Sequence, residues 1–262
     1  MWAYWRAIVL RGPVHVLILG TDERPGEAGP FRSDTMILAR FSPREPRVAL
    51  LSIPRDLWVN IPGVGENRIN AAHFFGGPPL AKETVAATFE VPVHYYVKIN
   101  FDGFVRIVDA LGGIEVDVPE PLVDTNYPTP DYGVTTVRID AGLQKMDGEV
   151  ALVYARSRYS TSDFDRARRQ QQILVAMRAK LTRPSTWPRL PRVARAVVES
   201  VETDMPAQEW PVLALIAWRA GAIERYAIGP NEVTPTMMAN GADVLLPDWE
   251  AIRRVLAEMQ GE

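Results

Sequence analysis

The sequence predicts a single α/β domain, a central mixed β-sheet with helices on both sides. Three features of the 262 residues lead there. Short apolar runs alternate with amphipathic helical stretches from end to end. Two neighbouring runs are joined by only five residues, 42–46, and so pair antiparallel, whereas other runs are separated by helices, which makes the sheet mixed. No linker, repeat or low-complexity stretch interrupts the pattern, and a chain this long buries a full core without disulfides or cofactors.

Residues 15–19 (HVLIL) read as a buried strand that ends at Gly20. Residues 20–32 carry Pro25, Gly26, Gly29 and Pro30 and read as a loop. Residues 34–41 form the second strand, 42–46 a turn and 47–53 the third strand. Residues 54–70 contain Pro62-Gly63 and Gly65 and read as a long loop; such a run without secondary structure in a compact domain is usually functional. A helix over 79–89, a strand over 94–99 and a helix over 102–111, stopped by Gly112-Gly113, come next. Residues 114–118 and 134–139 are strands flanking a polar, Pro-containing loop at 119–133. Helical patterns cover 147–154, 163–181, 189–201 and 207–220; a strand at 223–228 and a helix at 248–260 close the chain.

Composition narrows the chemistry. The net charge is −3 with Lys+Arg 29, of which 25 are Arg and 4 are Lys. That balance argues against a nucleic-acid partner. Cysteine is absent, which removes disulfides, thiolate metal sites and a cysteine nucleophile. Phosphate-binding and dinucleotide-binding glycine loops are absent, as is a G-x-S-x-G elbow. His15, His73 and His94 are isolated in sequence, which argues against a multi-histidine metal site. No run of 18 or more apolar residues is present. Residues 1–10 (MWAYWRAIVL) are apolar and aromatic around Arg6. They read either as an arm packed on the domain or as the outer end of a membrane anchor, so 1–12 is set apart as an N-terminal arm or juxtamembrane stub from the domain at 13–262.

Three groups of residues carry chemistry. Asp22 follows the first strand and Asp34 opens the second, so neighbouring strands bring both carboxylates to one rim of the sheet. Two carboxylates at a loop mouth suit Mg²⁺ with phosphate oxygens; the alternative is a pair of turn or capping residues. Arg55 stands just beyond a core strand and Pro54, either as a ligand clamp or as the partner of Asp56. In 154–172 (YARSRYSTSDFDRARRQQQ), Arg156 and Arg158 face the same way if extended, and Arg166, Arg169 and Gln170 share a helix face behind Asp163. Arginines at a helix N-terminus make an anion site, and the alternative is a solvated basic face.

The stretches ILGTDER (18–24), FRSDTMILAR (31–40), SIPRDLWVNIPG (52–63), NRINAAHFFGGP (67–78), GFVRIVDALGGIEVDVP (103–119) and AGLQKMDGEVALVYARSRYSTSDFDRARRQQQIL (141–174) occur in an order that resembles the LytR-CpsA-Psr family of cell-envelope proteins. The resemblance implies a sheet flanked by helices with a hydrophobic pocket for a polyprenyl chain, for which Phe74, Phe75, Phe89, Tyr95, Phe101, Phe104, Leu174 and Met177 are candidates. It implies a phosphotransferase that attaches a teichoic acid- or capsule-like glycopolymer from a polyprenyl-pyrophosphate carrier to peptidoglycan. Pyrophosphate hydrolysis is the outcome expected without an acceptor, and a non-catalytic lipid-binding or regulatory module is the alternative. It places Asp22 and Asp34 as Mg²⁺ ligands and Arg32, Arg55, Arg156, Arg158, Arg166 and Gln170 as pyrophosphate ligands. Arg68 joins this set at a position where many members carry Lys. Asp163 is the expected general base, with Asp56 second and an arginine-orienting role as the alternative for such a carboxylate. Members carry an N-terminal membrane anchor and act outside the cytoplasmic membrane, so this chain is expected at the extracytoplasmic face through a truncated or missing anchor.

Overall fold

A computed structural model describes residues 12–23, 31–129, 133–157, 163–239 and 241–261. Residues 1–11 of the expected N-terminal arm at 1–12, and Arg158, lie outside the described residues. The chain is an α/β domain whose residues gather into two compact units, Met1–Asn100 with Glu202–Glu262, and Phe101–Val201.

The first unit holds the central sheet. Its strands are β1 (Val14–Thr21), β2 (Ser33–Ser42), β3 (Arg47–Ser52), β6 (Tyr95–Asn100), β11 (Val201–Thr203) and β12 (Glu224–Ala227), in the order β11-β6-β1-β2-β3-β12. β1 and β3 each pair antiparallel with β2, while β6 runs parallel to β1 and β12 parallel to β3. The sheet is therefore mixed, as expected. Val48, Ala49, Leu50, Leu51 and Ser52 of β3 are all buried. Successive strand residues face opposite sides, so this run requires cover on both faces. Helices α1 (Ala71–Phe89), α6 (Trp210–Arg219) and α7 (Trp249–Gln260) pack on this unit's strands.

The register at the β1–β2 end positions the candidate site. Gly20 stands opposite Thr35 and Thr21 opposite Ser33, which leaves Asp34 as the extra residue of a bulge. A bulge re-aims the side chain it carries. Gly20 is needed there, since a Cβ on it would stand 2.9 Å from the Thr35 Cβ.

The expected loop at 54–70 is instead a hairpin of β4 (Trp58–Ile61) and β5 (Gly65–Arg68). Its turn closes with Val64 N–H donating to Ile61 O at 3.0 Å, Pro62 second and Gly63 third at φ +73. That is type II turn chemistry, and the Pro-Gly pair that reads as a loop is the turn itself. A second hairpin pairs β13 (Val233–Met237) with β14 (Asp243–Pro247); the sequence does not disclose it because each strand is only five residues long and β13 carries Pro235 at its centre. Helix α1 starts earlier than expected and kinks at Gly76-Gly77, so Pro78 and Pro79 begin its second half.

The second unit contains α2 (Phe101–Leu111), β7 (Ile114–Val118), β8 (Leu122–Pro128), β9 (Val134–Ile139), β10 (Gly142–Met146), α3 (Gly148–Arg156), α4 (Asp163–Leu181) and α5 (Leu190–Ser200). A 3₁₀ turn, Pro184–Arg189, precedes α5. Val108, Leu111, Ile114, Met146, Tyr154 and Ile173 are central to its core. The polar loop expected at 119–133 is largely strand β8, paired with β9. Its alternation is hidden because one inward position is a carboxylate, Asp124, which accepts from Ser157 Oγ at 2.8 Å.

Two consequences for stability follow from the packing. A Cβ on Gly148 would stand 2.5 Å from Val105 O, so Gly148→Ala forces α2 and α3 apart. A loss of about 2 kcal/mol in urea unfolding is expected, the usual scale of overpacking. At the other end of β1 from the bulge, His15 stacks on His94 with ring centroids 5.9 Å apart. Burial, then the nearby His94 and Arg40, pulls the His15 pKa down to about 4. An unfolded histidine titrates near 6.5, so the folded state gives up stability as pH falls from about 6.5 to about 4, by about 3 kcal/mol at most. Above that window the contribution is fully retained. His15→Leu is expected to flatten this slope in unfolding curves taken at pH 7 and pH 4.5; an unchanged slope assigns it elsewhere.

Candidate active site

β1, β3, β6 and β12 all run the same way, so their carboxyl ends share one rim. In open α/β sheets ligands bind at that rim. Asp22 follows Thr21 at the end of β1, the bulged Asp34 lies opposite that end, and Arg55 comes three residues after β3. The register puts Asp22 and Asp34 at one rim, as expected, and Arg55 joins them there. Arg32, exposed, immediately precedes β2 at the same end.

The side chains form a chain of charges. Arg55 donates through Nη1 to Asp34 Oδ1 at 2.5 Å and through Nε to Asp56 Oδ2 at 3.3 Å. Arg68 Nε stands 3.6 Å from Asp56 Oδ1. Arg55 is thus the partner of Asp56 that the second reading expects, and it also grips the bulged carboxylate of Asp34. One planar guanidinium spans two carboxylates, a geometry the point charge of Lys does not reproduce.

Backbone hydrogen bonds fix this segment from three sides. Asn70 N–H donates to Arg55 O at 3.2 Å, Leu245 N–H to Asp56 O at 3.0 Å, and Ile69 N–H to Leu57 O at 2.8 Å. The two hairpins that the sequence did not disclose thus serve as its supports. Fixed donors and charges cost no reorganisation when charge develops on a substrate.

A neighbouring network was missed by sequence reasoning. Lys98 of β6 pairs with Glu23 at 3.0 Å and Glu202 at 2.7 Å. Burial disfavours its charge, but the hydrogen bonds it donates to Glu202 and Glu23 outweigh burial and hold its pKa above the ordinary value. Glu23 adjoins Asp22, so Lys98 ties down the segment that carries this carboxylate. His73 of α1 is buried with Nδ1 2.7 Å from Phe31 O, just before Arg32. Burial lowers its pKa, which favours the neutral ring as a donor to that carbonyl. The alternating polar residues of β6 and the lone histidine gave no sequence signal of these roles.

In the second unit, Arg156 is the last residue of α3 rather than part of an extended stretch. Its guanidinium lies over the Phe101 ring, 4.0 Å from the centroid, and donates to Tyr127 Oη at 3.4 Å. Asp147 caps the start of this helix, accepting from Val150 N–H at 2.9 Å, and at its far end Ser157 N–H donates to Val153 O at 3.0 Å. Arg166 is buried and pairs with Asp163 at 2.9 Å, so the carboxylate read as a base also orients an arginine. Gln170 Nε2 donates to Ala155 O at 3.4 Å. Arg169 is buried, donating through Nε to Tyr154 O at 2.9 Å and through Nη2 to Ser157 O. Arg169 and Gln170 therefore hold the end of α3, satisfying carbonyls that a helix C-terminus leaves open. Burial pulls the Arg169 pKa down.

The candidate apolar residues are dispersed. Phe89 is buried, Phe74 and Phe75 are exposed in an edge-to-face pair, and Phe104 and Met177 pack on the second unit's core. For Mg²⁺, the donors that would serve are the carboxylates of Asp22 and Asp34 on one rim, hard oxygens of the kind this ion takes when water and phosphate complete its shell. Among the described residues, no group of three or more His, Asp or Glu side chains is arranged to hold a metal without such help. Among them too, no helix is long and apolar enough to cross a membrane.

Comparison with known proteins gives this rim a context. The model of the LytR_cpsA_psr family matches residues 8–260. A polyisoprenyl-teichoic acid–peptidoglycan teichoic acid transferase, TagU, of Halalkalibacterium halodurans is 36% identical over 261 residues, covering 97% of this chain and 79% of its own. A Staphylococcus aureus protein is 37% identical over 209 residues, and the match spans 51% of that protein's length. Among solved structures, Bacillus subtilis TagV superposes with a TM-score of 0.78 at 29% identity, covering 95% of this chain and 96% of TagV. TagT bound to LI-WTA gives 0.76 at 26% identity, covering 96% of this chain and 90% of TagT. With the family pattern extending over nearly the whole chain, this protein belongs to the LytR_cpsA_psr family.

Proposed function

We propose that the chain is a Mg²⁺-dependent phosphotransferase acting at the extracytoplasmic face of the cell membrane. It moves a teichoic acid- or capsule-like glycopolymer, as its sugar phosphate, from a polyprenyl-pyrophosphate carrier to a hydroxyl of peptidoglycan. The observation that carries this reading is the rim that bears Asp22 and the bulged Asp34, with Arg55 bonded to both Asp34 and Asp56. Relatives named as teichoic acid transferases and a neighbour bound to LI-WTA support the substrate class.

In this reading Asp22 and Asp34 hold Mg²⁺, which when bound neutralises charge on the phosphate oxygens. Arg32, Arg55 and Arg68, on the unit that carries this rim, bind phosphate oxygens; for Arg156, Arg158, Arg166 and Gln170 the phosphate-binding role is the one the family resemblance implies. The acceptor oxygen attacks the phosphorus next to the polymer's sugar, and the bond from that phosphorus to the bridging oxygen breaks. The carrier leaves as polyprenyl monophosphate, taking the negative charge. Asp163 accepts the hydroxyl proton, while Asp56, engaged by Arg55 and Arg68, serves to orient them. Water in place of the acceptor gives hydrolysis of the same bond.

The test supplies the chain with lipid-linked polymer and Mg²⁺, with and without purified peptidoglycan. Polymer joined covalently to peptidoglycan, with polyprenyl monophosphate formed in equal amount, is expected. Carrier breakdown that never labels the peptidoglycan would leave only a hydrolase, and an intact carrier would leave a binding module.

A further inference from the structure

We propose that the outer face of residues 184–200 in the second unit docks on an anionic lipid bilayer. The 3₁₀ turn and α5 turn Thr186 and Val193 inward, and Ala196 and Val197 pack on the unit's core. The outward side keeps large apolar groups in water: Trp187 is 52% exposed, Leu190 41% and Val198 67%. Leu190, Ala194 and Val198 recur every four residues and form one line along α5. Arg195 lies one turn before Val198, and Arg192 one turn before Arg195; both are exposed, as is Glu199 one turn further on.

Charge concentrates on this stretch. The face itself, residues 184–200, carries Arg189, Arg192 and Arg195 against one acid, the exposed Glu199, and is net positive in a chain of net charge −3. Arg183 is committed to Glu115 at 2.8 and 2.9 Å, and Arg189 lies against Gly112, which leaves Arg192 and Arg195 as the outward pair. A tryptophan and aliphatic line beside arginines matches the chemistry of a membrane–water boundary, where the apolar groups enter the headgroup layer and the guanidinium groups meet phosphates. A second copy of the chain would bring like charges together on this face. A soluble polyanion would engage the arginines and leave Leu190 and Val198 in water. The inference is independent of the phosphotransfer reading.

The experiment is co-sedimentation of the full chain with phosphatidylglycerol–phosphatidylcholine vesicles, at low and high salt. Wild type is expected to bind, and added salt to weaken binding. Arg192→Glu with Arg195→Glu, and separately Trp187→Ala, are each expected to lower affinity by about ten-fold or more. The milder Arg192→Gln with Arg195→Gln gives a smaller loss of the same sign. Every variant keeps residues 1–11, so the differences read this face alone, and matched thermal melts confirm folding. Variants that bind vesicles like wild type overturn the proposal. So does binding to soluble polyphosphate as tight as to vesicles and indifferent to Trp187→Ala, or a dimer that the arginine changes dissolve.

Discussion

Asp22→Asn combined with Asp34→Asn is expected to lower polymer transfer by about 10³-fold or more while the protein remains folded. The size follows from what the pair holds: loss of a metal that neutralises phosphate charge removes several kcal/mol of transition-state stabilisation. The fold should survive because both residues sit at the rim rather than in the core, Asp34 on a bulge outside the regular ladder. Lipid binding should persist, which separates a catalytic loss from a folding loss. Urea unfolding and vesicle-borne carrier binding check both points. Undiminished turnover in the double variant would take the metal role away from these carboxylates.

Arg55→Ala is the second large effect, with a drop of about 10²–10³-fold expected. The variant loses one phosphate-facing cation and also frees two carboxylates, because Arg55 bridges Asp34 and Asp56. Like charges left at one rim repel the incoming pyrophosphate. Arg55→Lys should recover little, since one ammonium cannot serve both carboxylates in the fork geometry. Kinetics with saturating carrier distinguish the roles: a clamp acting in the transition state lowers kcat, whereas a role confined to carrier binding raises KM alone. Full rescue by Lys would reduce Arg55 to a simple counter-charge.

How far such roles are legible in the sequence depends on what the signal is. β1, β2 and β3 were readable because each is a continuous apolar run with sharp boundaries. The rim followed from them, since strand adjacency alone brings Asp22 and Asp34 together. The supports of the rim were not readable. β4 and β5 are four residues each, and their Pro62-Gly63 turn resembles any loop. The contact of Leu245 N–H with Asp56 O joins residues 189 positions apart, and no local pattern announces it. In 154–172 the density of arginines was visible but their division of labour was not. Arg169 is a buried brace for the end of α3 and Arg166 is the partner of Asp163, although both fall on the same helical spacing. Spacing reports a shared face and not which acceptor waits there. Nothing in the spacing of Arg189, Arg192 and Arg195 marks a surface there; the exposure of Trp187, Leu190 and Val198 does.

The most direct measurement is polymer transfer to peptidoglycan by the wild-type chain before and after removal of divalent cations. The account predicts polymer-bearing peptidoglycan in Mg²⁺, its loss on chelation and its return when Mg²⁺ is added back. Transfer that continues at an undiminished rate without divalent cations would contradict it.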